Sequence, residues 1–476
     1  MVLALRAWKF SLRSTAVAIM AASPAHAQSS PLEYRMRLRI EPAEATLDAS
    51  VEMRFPDAAA GPRALADTLV FLLHGELWAD SVAVGGVPAP FTQHPRLWEL
   101  DYALVANEVR VPLEGLDLSR GVTVRYAGPM HASRARSPSD YMRIDADGAA
   151  LRGYFYSPWF PVQDVQDQGM DPAPISFERV EIETPAEFTA VFTGDRLEER
   201  REGGRWVSVW RAPDLPPADA QLTARRWRRI EGEGVTLHAL PDSVSRAAAD
   251  RLLGTVETWQ AFYRNHYGTP RGGAQLHVLE MPRFGDLASG NVIGIARDGW
   301  TGFDAGSWQG RTLAHEMVHT YVQVPTPSTD PIYALVIEGF PSYFHLPALE
   351  GTQGAAYYRR WIAETDSAYV ERRRTGRGRR GAALPTEKPI DAIPPDEIGT
   401  YKDAFVLNDR VPLFLAWVRR RLGDDAFFAW ARELFARDAL SRDAFVASLA
   451  PRLGSGGAED LRLWLSTTEY PDRFRP

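Results

Sequence analysis

The sequence has 476 residues, 45% of them hydrophobic and 24% charged, with a net charge of −7 and a pI near 5.9. This is globular composition with length for about two or three domains, and it offers no basic footprint for nucleic acid or an anionic membrane. There is no cysteine, so disulfides and thiolate metal sites are excluded and only His and carboxylates remain as strong metal donors.

At the N-terminus Arg6, Lys9 and Arg13 precede the apolar run Thr15 to Ala22, and small residues follow at Ala25 and Ala27. This is the layout of a secretory signal peptide, residues 1–27, cleaved after Ala27. The alternative is a short amphipathic helix. The run is too short to cross a bilayer, and no later segment has the roughly 18 consecutive apolar residues that a span requires. The expectation is an exported protein, periplasmic or extracellular, without stable membrane insertion.

From Leu32 to Trp227 the pattern is that of strands. Tyr34 to Ile40 and Thr46 to Phe55 alternate apolar with polar residues, a period of two. Turn residues separate further runs of the same kind, which predicts an antiparallel β-sandwich or saddle over residues 28–232. Trp78 and Trp159 read as core aromatics of this part.

The texture changes near Gly232. Ser243 to Gly268 predicts a helix, because Leu252, Leu253, Val256, Trp259 and Phe262 recur at helical spacing, with Gly268 as its stop. Strands follow at Ala274 to Met281 and Asn291 to Arg297, and helices dominate beyond Arg311. Residues 233–476 therefore read as a mixed sheet with helices. The basic stretch Arg372 to Gly381 reads as a solvated connection, or as a contact for an acidic partner.

The chemistry concentrates at "TLAHEMVHTY", Thr312 to Tyr321. On a helix, His315 and His319 lie one turn apart on the same face and can bind one ion. Glu316 lies about 100° around from His315, near the ion, where it can take a proton from a metal-activated water. A catalytic zinc needs a third protein ligand and one open position. Glu338, in "VIEGFPSYF", follows His319 with 18 residues between them and is the candidate. Asp330 is placed to cap the segment that carries it, with Pro331 in the first turn.

Two histidines, this spacing and an E-G-F context resemble the gluzincin metallopeptidases of the aminopeptidase N family. Ile337 and Pro341 replace the Asn and Ala of the family's N-E-G-F-A. The resemblance runs along most of the chain, through the opening strands, "GYFYSPWFPV" (Gly153 to Val162), the helical segment around Tyr401 and the closing "LRLWLSTTEYP". It implies a β-rich domain followed by a thermolysin-like α/β zinc domain, in a short form without the family's large helical C-terminal domain. It implies Zn²⁺ held by His315, His319 and Glu338, Glu316 as general base, and a peptide substrate in a cleft between the domains. Tyr401 aligns with the family's catalytic tyrosine, a phenol that stabilises the oxyanion, although the surrounding motif reads Y-K-D-A rather than Y-x-K-G.

The family's G-x-M-E-N segment supplies an edge strand for the peptide and a Glu for its free α-amine. The corresponding stretch here, Ala288 to Gly299, has no Met-Glu. Asn291 carries no charge, Arg297 has the wrong sign, and Glu280 on a neighbouring strand is the stand-in to consider. A buried ammonium needs a paired carboxylate. The resemblance therefore implies zinc-dependent, aminopeptidase-like hydrolysis of peptides. An endopeptidase acting on blocked peptides and an inactive member that only binds peptide or protein remain as alternatives. The other histidines read as structural: His266 at a helix end, where the dipole favours a cation, His277 in a strand, and His345 after Glu338. Nothing in the sequence speaks to oligomeric state.

Overall fold

The computed structural model describes residues 31–476 apart from 57–67, 100–102, 132–141, 154–157, 164–174, 217–218, 242, 283–286, 302, 323, 379–382 and 404–405. The expected signal peptide and the Tyr154–Ser157 part of the aromatic segment lie outside the described residues.

Three sheets build the N-terminal half. The largest has eight strands, in the spatial order Asp195–Glu202, Arg205–Leu215, Ile175–Pro185, Leu32–Glu41, Thr46–Arg54, Val122–Pro129, Trp78–Val84 and Val87–Pro88. Two four-stranded sheets accompany it, one running Thr189–Phe192, Gln221–Arg225, Gly148–Arg152, Met142–Asp145, the other Val162–Gln163, Thr68–His74, Ala103–Pro112, Thr92–Glu99. Among the described residues every pairing in these sheets is antiparallel except one: Leu32–Glu41 lies parallel to Ile175–Pro185.

The period-two pattern is realised directly. Along Leu32–Glu41, Tyr34, Met36, Leu38 and Ile40 are buried while Arg35, Arg37 and Arg39 face out. Buried hydroxyls still need partners. Tyr34 donates to the Pro161 carbonyl (2.8 Å) and Tyr126 to that of Trp159 (3.1 Å), which pins the Trp159–Phe160 segment into the core. Trp78 departs from expectation. It is 49% exposed rather than a core aromatic, because its strand lies near the edge of the large sheet.

The fourth sheet has five strands, in the order Arg228–Gly232, Val235–Ala239, Leu276–Met281, Val292–Ala296 and Leu287–Ser289. Its three central strands are parallel and its two edges antiparallel. Parallel strands are normally covered on both faces, and these are. Leu276, Val278, Ile293 and Ile295 pack with Leu252, Val256 and Trp259 of the helix Arg246–Tyr267. Leu279, Met281 and Val292 instead join the core of the N-terminal sheets. Hence a mixed sheet joins a β-rich part to a helical one, as the composition of the two halves led us to expect.

The junction is polar at two places. Asn291 is buried and its side chain accepts from Gly194 N (2.8 Å) and donates to Gly194 O (2.9 Å) and Gln275 O (2.6 Å). His238 and His277 face each other, Nε2 to Nδ1 at 3.1 Å, fully buried between Trp227 and Trp210.

The predicted helix over 243–268 spans Arg246–Tyr267, capped by Ser245, whose side chain accepts from Ala248 N, and stopped by Gly268 at φ 106°. His266 lies near its end, as the sequence reading placed it. Burial and the nearby Arg432 and Arg419 push its pKa down.

Candidate metal centre

The helix Trp308–Val322 carries the two histidines. Ser307 starts it, its Oγ accepting from Gly310 N at 3.1 Å. A Cβ at Gly310 would stand 2.4 Å from the Asp304 carbonyl oxygen, so only glycine lets the preceding turn close on the helix. Leu313, Ala314, Met317 and Val318 bury the opposite face. Tyr263 fixes the helix from behind, donating to the Ala314 carbonyl at 3.0 Å.

His315 and His319 converge with their Nε2 atoms 3.2 Å apart. Two ring nitrogens that face each other need either a shared proton or a shared cation. Both residues sit with Glu316 in a group whose potential ligand atoms all lie within 4.8 Å of one another. Glu338 comes to the same place, its Oε2 3.5 Å from His315 Nε2. Four donors arranged tetrahedrally at bonds of about 2.0–2.2 Å stand about 3.3–3.6 Å apart. The two observed separations therefore fit one small divalent cation held by His315, His319 and Glu338, with Glu316 beside it.

Glu338 reaches the site from a π-helical turn, Leu335–Gly339, that continues into the helix Phe340–Phe344. Such turns rotate a side chain out of regular helical register and are frequent at functional sites. Asp330 does act at the start of this segment, accepting from Ile332 N at 3.0 Å and also from Arg442 N at 3.1 Å. A second π turn, Val406–Arg410, packs against the first, and Ser342 joins them by donating to Asn408 Oδ1 at 2.9 Å.

Electrostatics prepares the donors. Burial, reinforced by the neighbouring His315, pulls the pKa of His319 down to about 3, so its imidazole is neutral. Burial alone would raise the Glu338 carboxyl, but Lys402 and His315 outweigh it and hold the group ionised, well below the usual carboxylate range. His345, which the sequence suggested was structural, lies close by, its ring centroid 5.7 Å from that of His315. Its Nδ1 donates to the Pro341 carbonyl at 2.8 Å, and burial keeps it neutral.

Tyr401 is buried in the short helix Ile398–Asp403, and its hydroxyl donates to the Thr386 carbonyl at 2.8 Å. The residue that touches the candidate ligand Glu338 is the next one. Lys402 Nζ lies 2.9 Å from Glu338 Oε2. It stands in plain view in the Y-K-D-A motif, but a lysine there is readable as a ligand-set neighbour only once the π turn is known.

Glu280 is fully buried on the helix side of the five-stranded sheet. It accepts from Leu240 N at 2.8 Å and from Ser243 Oγ, and pairs with Arg297 at 3.4 Å. Burial still outweighs those partners and raises its pKa, and its buried Oε1 has no hydrogen-bond partner among the described residues. The edge strand beside the metal helix is Leu287–Ser289, with Gly290–Asn291 as the turn into Val292–Ala296. The described side chains of that edge strand, Ala288 and Ser289, include no carboxylate.

No family model matches the sequence, and no curated protein matches it. Solved structures do resemble the chain. An M1 zinc metallopeptidase from Deinococcus radiodurans aligns over 94% of this chain and 96% of its own, with a TM-score of 0.62 at 18% identity. The fold is that of the M1 zinc metallopeptidases. A point mutant of that protein, solved bound to a Tyr-Ser-Ala substrate, gives a TM-score of 0.63 at 18% identity over the same shares of both chains. Yeast LTA4 hydrolase matches 96% of this chain and 72% of its own, at 14% identity and a TM-score of 0.64. On the M1 fold, then, the described residues converge on a ligand set chosen from sequence spacing and family likeness.

Proposed function

We propose that the protein is a zinc-dependent peptidase, aminopeptidase-like in architecture, with Glu316 as the general base. The observation that carries this reading is the convergence of His315, His319 and Glu338 at ligand-to-ligand distances, with Glu316 alongside, on a fold shared with zinc metallopeptidases. Bound there, zinc would supply a Lewis acid and an acidified water. Glu316 takes the proton from the attacking water and returns it to the leaving nitrogen, two transfers within reach of one carboxylate. Tyr401 serves the oxyanion if its hydroxyl exchanges the Thr386 carbonyl for the substrate. The N-terminal sheets and the helical part form the two walls of the substrate cleft, divided near residues 232 and 233. Export rests on the signal-peptide pattern of residues 1–27.

A specific observation favours a second reading of specificity. An anchor for a free α-amine needs an available carboxylate near the edge strand. Glu280 is paired with Arg297 and accepts from Leu240 and Ser243 through one oxygen, and Asn291 is bonded to the Gly194 and Gln275 backbone. Peptides with blocked N-termini are therefore expected to be cut as readily as free ones. The test is zinc stoichiometry together with cleavage of free and N-acetylated peptides, with Glu316→Gln as control. Stoichiometric zinc without cleavage of any peptide in a broad library would turn the reading to a binding protein. A strong preference for free N-termini would restore the aminopeptidase assignment.

A further inference from the structure

Among the exposed large hydrophobic side chains of the described residues, Trp308 is the most open, at 59% exposure. It begins the helix that carries His315 and His319. It lies seven positions before His315, almost two full turns, so Trp308, Thr312, His315 and His319 fall within about 60° of one another around the helix. That face is graded. It is open at Trp308, nearly closed at the His315 side chain (13% exposed) and buried at His319. Exposure on this face thus rises from His319 towards the helix N-terminus, and Trp308 stands at its open end.

The indole is held rather than loose. The Arg311 guanidinium lies over one of its faces, 5.6 Å from the ring centroid, a cation–π contact. Tyr357, from the helix Ala355–Thr375, in turn lies against Arg311. One face of the indole is thus backed, and the exposure belongs to the other. The edge strand Leu287–Ser289 packs along the same helix, and among the described residues no strand pairs with its outer edge. Such an edge accepts an extended peptide by strand addition.

We propose that Trp308 is a platform for the substrate, its open face stacking an aromatic side chain of an extended peptide. The helix rises about 1.5 Å per residue, which sets Trp308 about 10 Å from His315. An extended peptide covers that distance in about three residues, so the stacked side chain is the third from the bond that is cut. This inference rests on the peptidase reading. It adds that short substrates miss Trp308 and that longer ones with an aromatic residue at that position gain from it.

The test uses the zinc-loaded Glu316→Gln protein, which holds substrate without cutting it, and hexapeptides bearing Phe or Ala at the third position on either side of the central bond. Calorimetry is expected to show the Phe peptide bound about tenfold more tightly on one side only. Trp308→Ala in the same background should erase that preference while Trp308→Phe keeps most of it, both with unchanged circular dichroism. A preference that survives Trp308→Ala, or equal binding of Phe and Ala peptides by the parent, would overturn the platform. So would failure to bind either peptide. Cleavage of dipeptide and tripeptide amides by the zinc-loaded wild type then shows separately whether the peptidase reading stands.

Discussion

Removing the charge of Lys402 is the sharpest probe of the candidate metal centre. Lys402 Nζ and His315 Nε2 approach the same Glu338 oxygen, at 2.9 and 3.5 Å. Without a metal, the ammonium is the principal counter-charge of a carboxylate whose side chain is 17% exposed. At 2.9 Å the gross attraction is about 6 kcal/mol for an effective dielectric near 20. Lys402 itself is 34% exposed, so solvent screening and its own desolvation return more than half of that. Lys402→Met should therefore destabilise the zinc-free protein by about 2 kcal/mol. A divalent ion accepted by His315, His319 and Glu338 shares Oε2 with the ammonium and is repelled by it. The zinc-loaded protein should thus lose less stability, and by the thermodynamic cycle zinc should bind about tenfold or more tightly to the variant. Urea unfolding of both forms measures the first quantity, and competition with a chelator the second. Weaker zinc binding by Lys402→Met would refute the argument, since it would mean that the lysine organises the carboxylate for the metal instead of competing with it.

The buried imidazole pair predicts acid sensitivity. Desolvation pulls the His238 pKa well below its usual value and that of His277 to about 3. Folded values below the unfolded one mean that stability is complete above about pH 6.5 and falls as pH drops towards 3, at about 1.4 kcal/mol per pH unit for each proton excluded. Arg229 and Arg196 oppose protonation and Glu231 favours it for His277. His277→Gln should flatten part of that slope in urea titrations between about pH 7 and 4, and an unchanged slope would remove the pair as its source. Asn291→Ala strips three buried hydrogen bonds from the junction of the sheets, for an expected loss of about 2–4 kcal/mol; a urea midpoint equal to that of wild type would contradict the clamp. Tyr401→Phe should leave zinc content intact and lower kcat about 100-fold or more if the hydroxyl serves the oxyanion, whereas unchanged kcat would leave it a structural donor to Thr386.

Much of this protein was decided locally and so could be read from its residues. Alternation along Tyr34 to Ile40 and the helical spacing from Leu252 to Trp259 follow from the period of each backbone, which acts within a few residues. The pairing of His315 with His319 is of the same kind, because one helical turn dictates it. Glu338 was reached by spacing and family likeness, yet its approach depends on a π turn that its own sequence does not announce.

Other features required the folded chain. Lys402, Trp308 and Asn291 are ordinary residues in sequence. The first meets Glu338, the second stands on the open end of the histidine face, and the third ties Gly194 to Gln275 across 97 and 16 positions. Trp78 was misjudged for the same cause. Exposure at a sheet edge is set by what packs nearby rather than by neighbours in the chain. Periodicity records which face of an element is apolar; only tertiary packing decides what that face meets, and desolvation and charge at the candidate metal centre follow from that meeting.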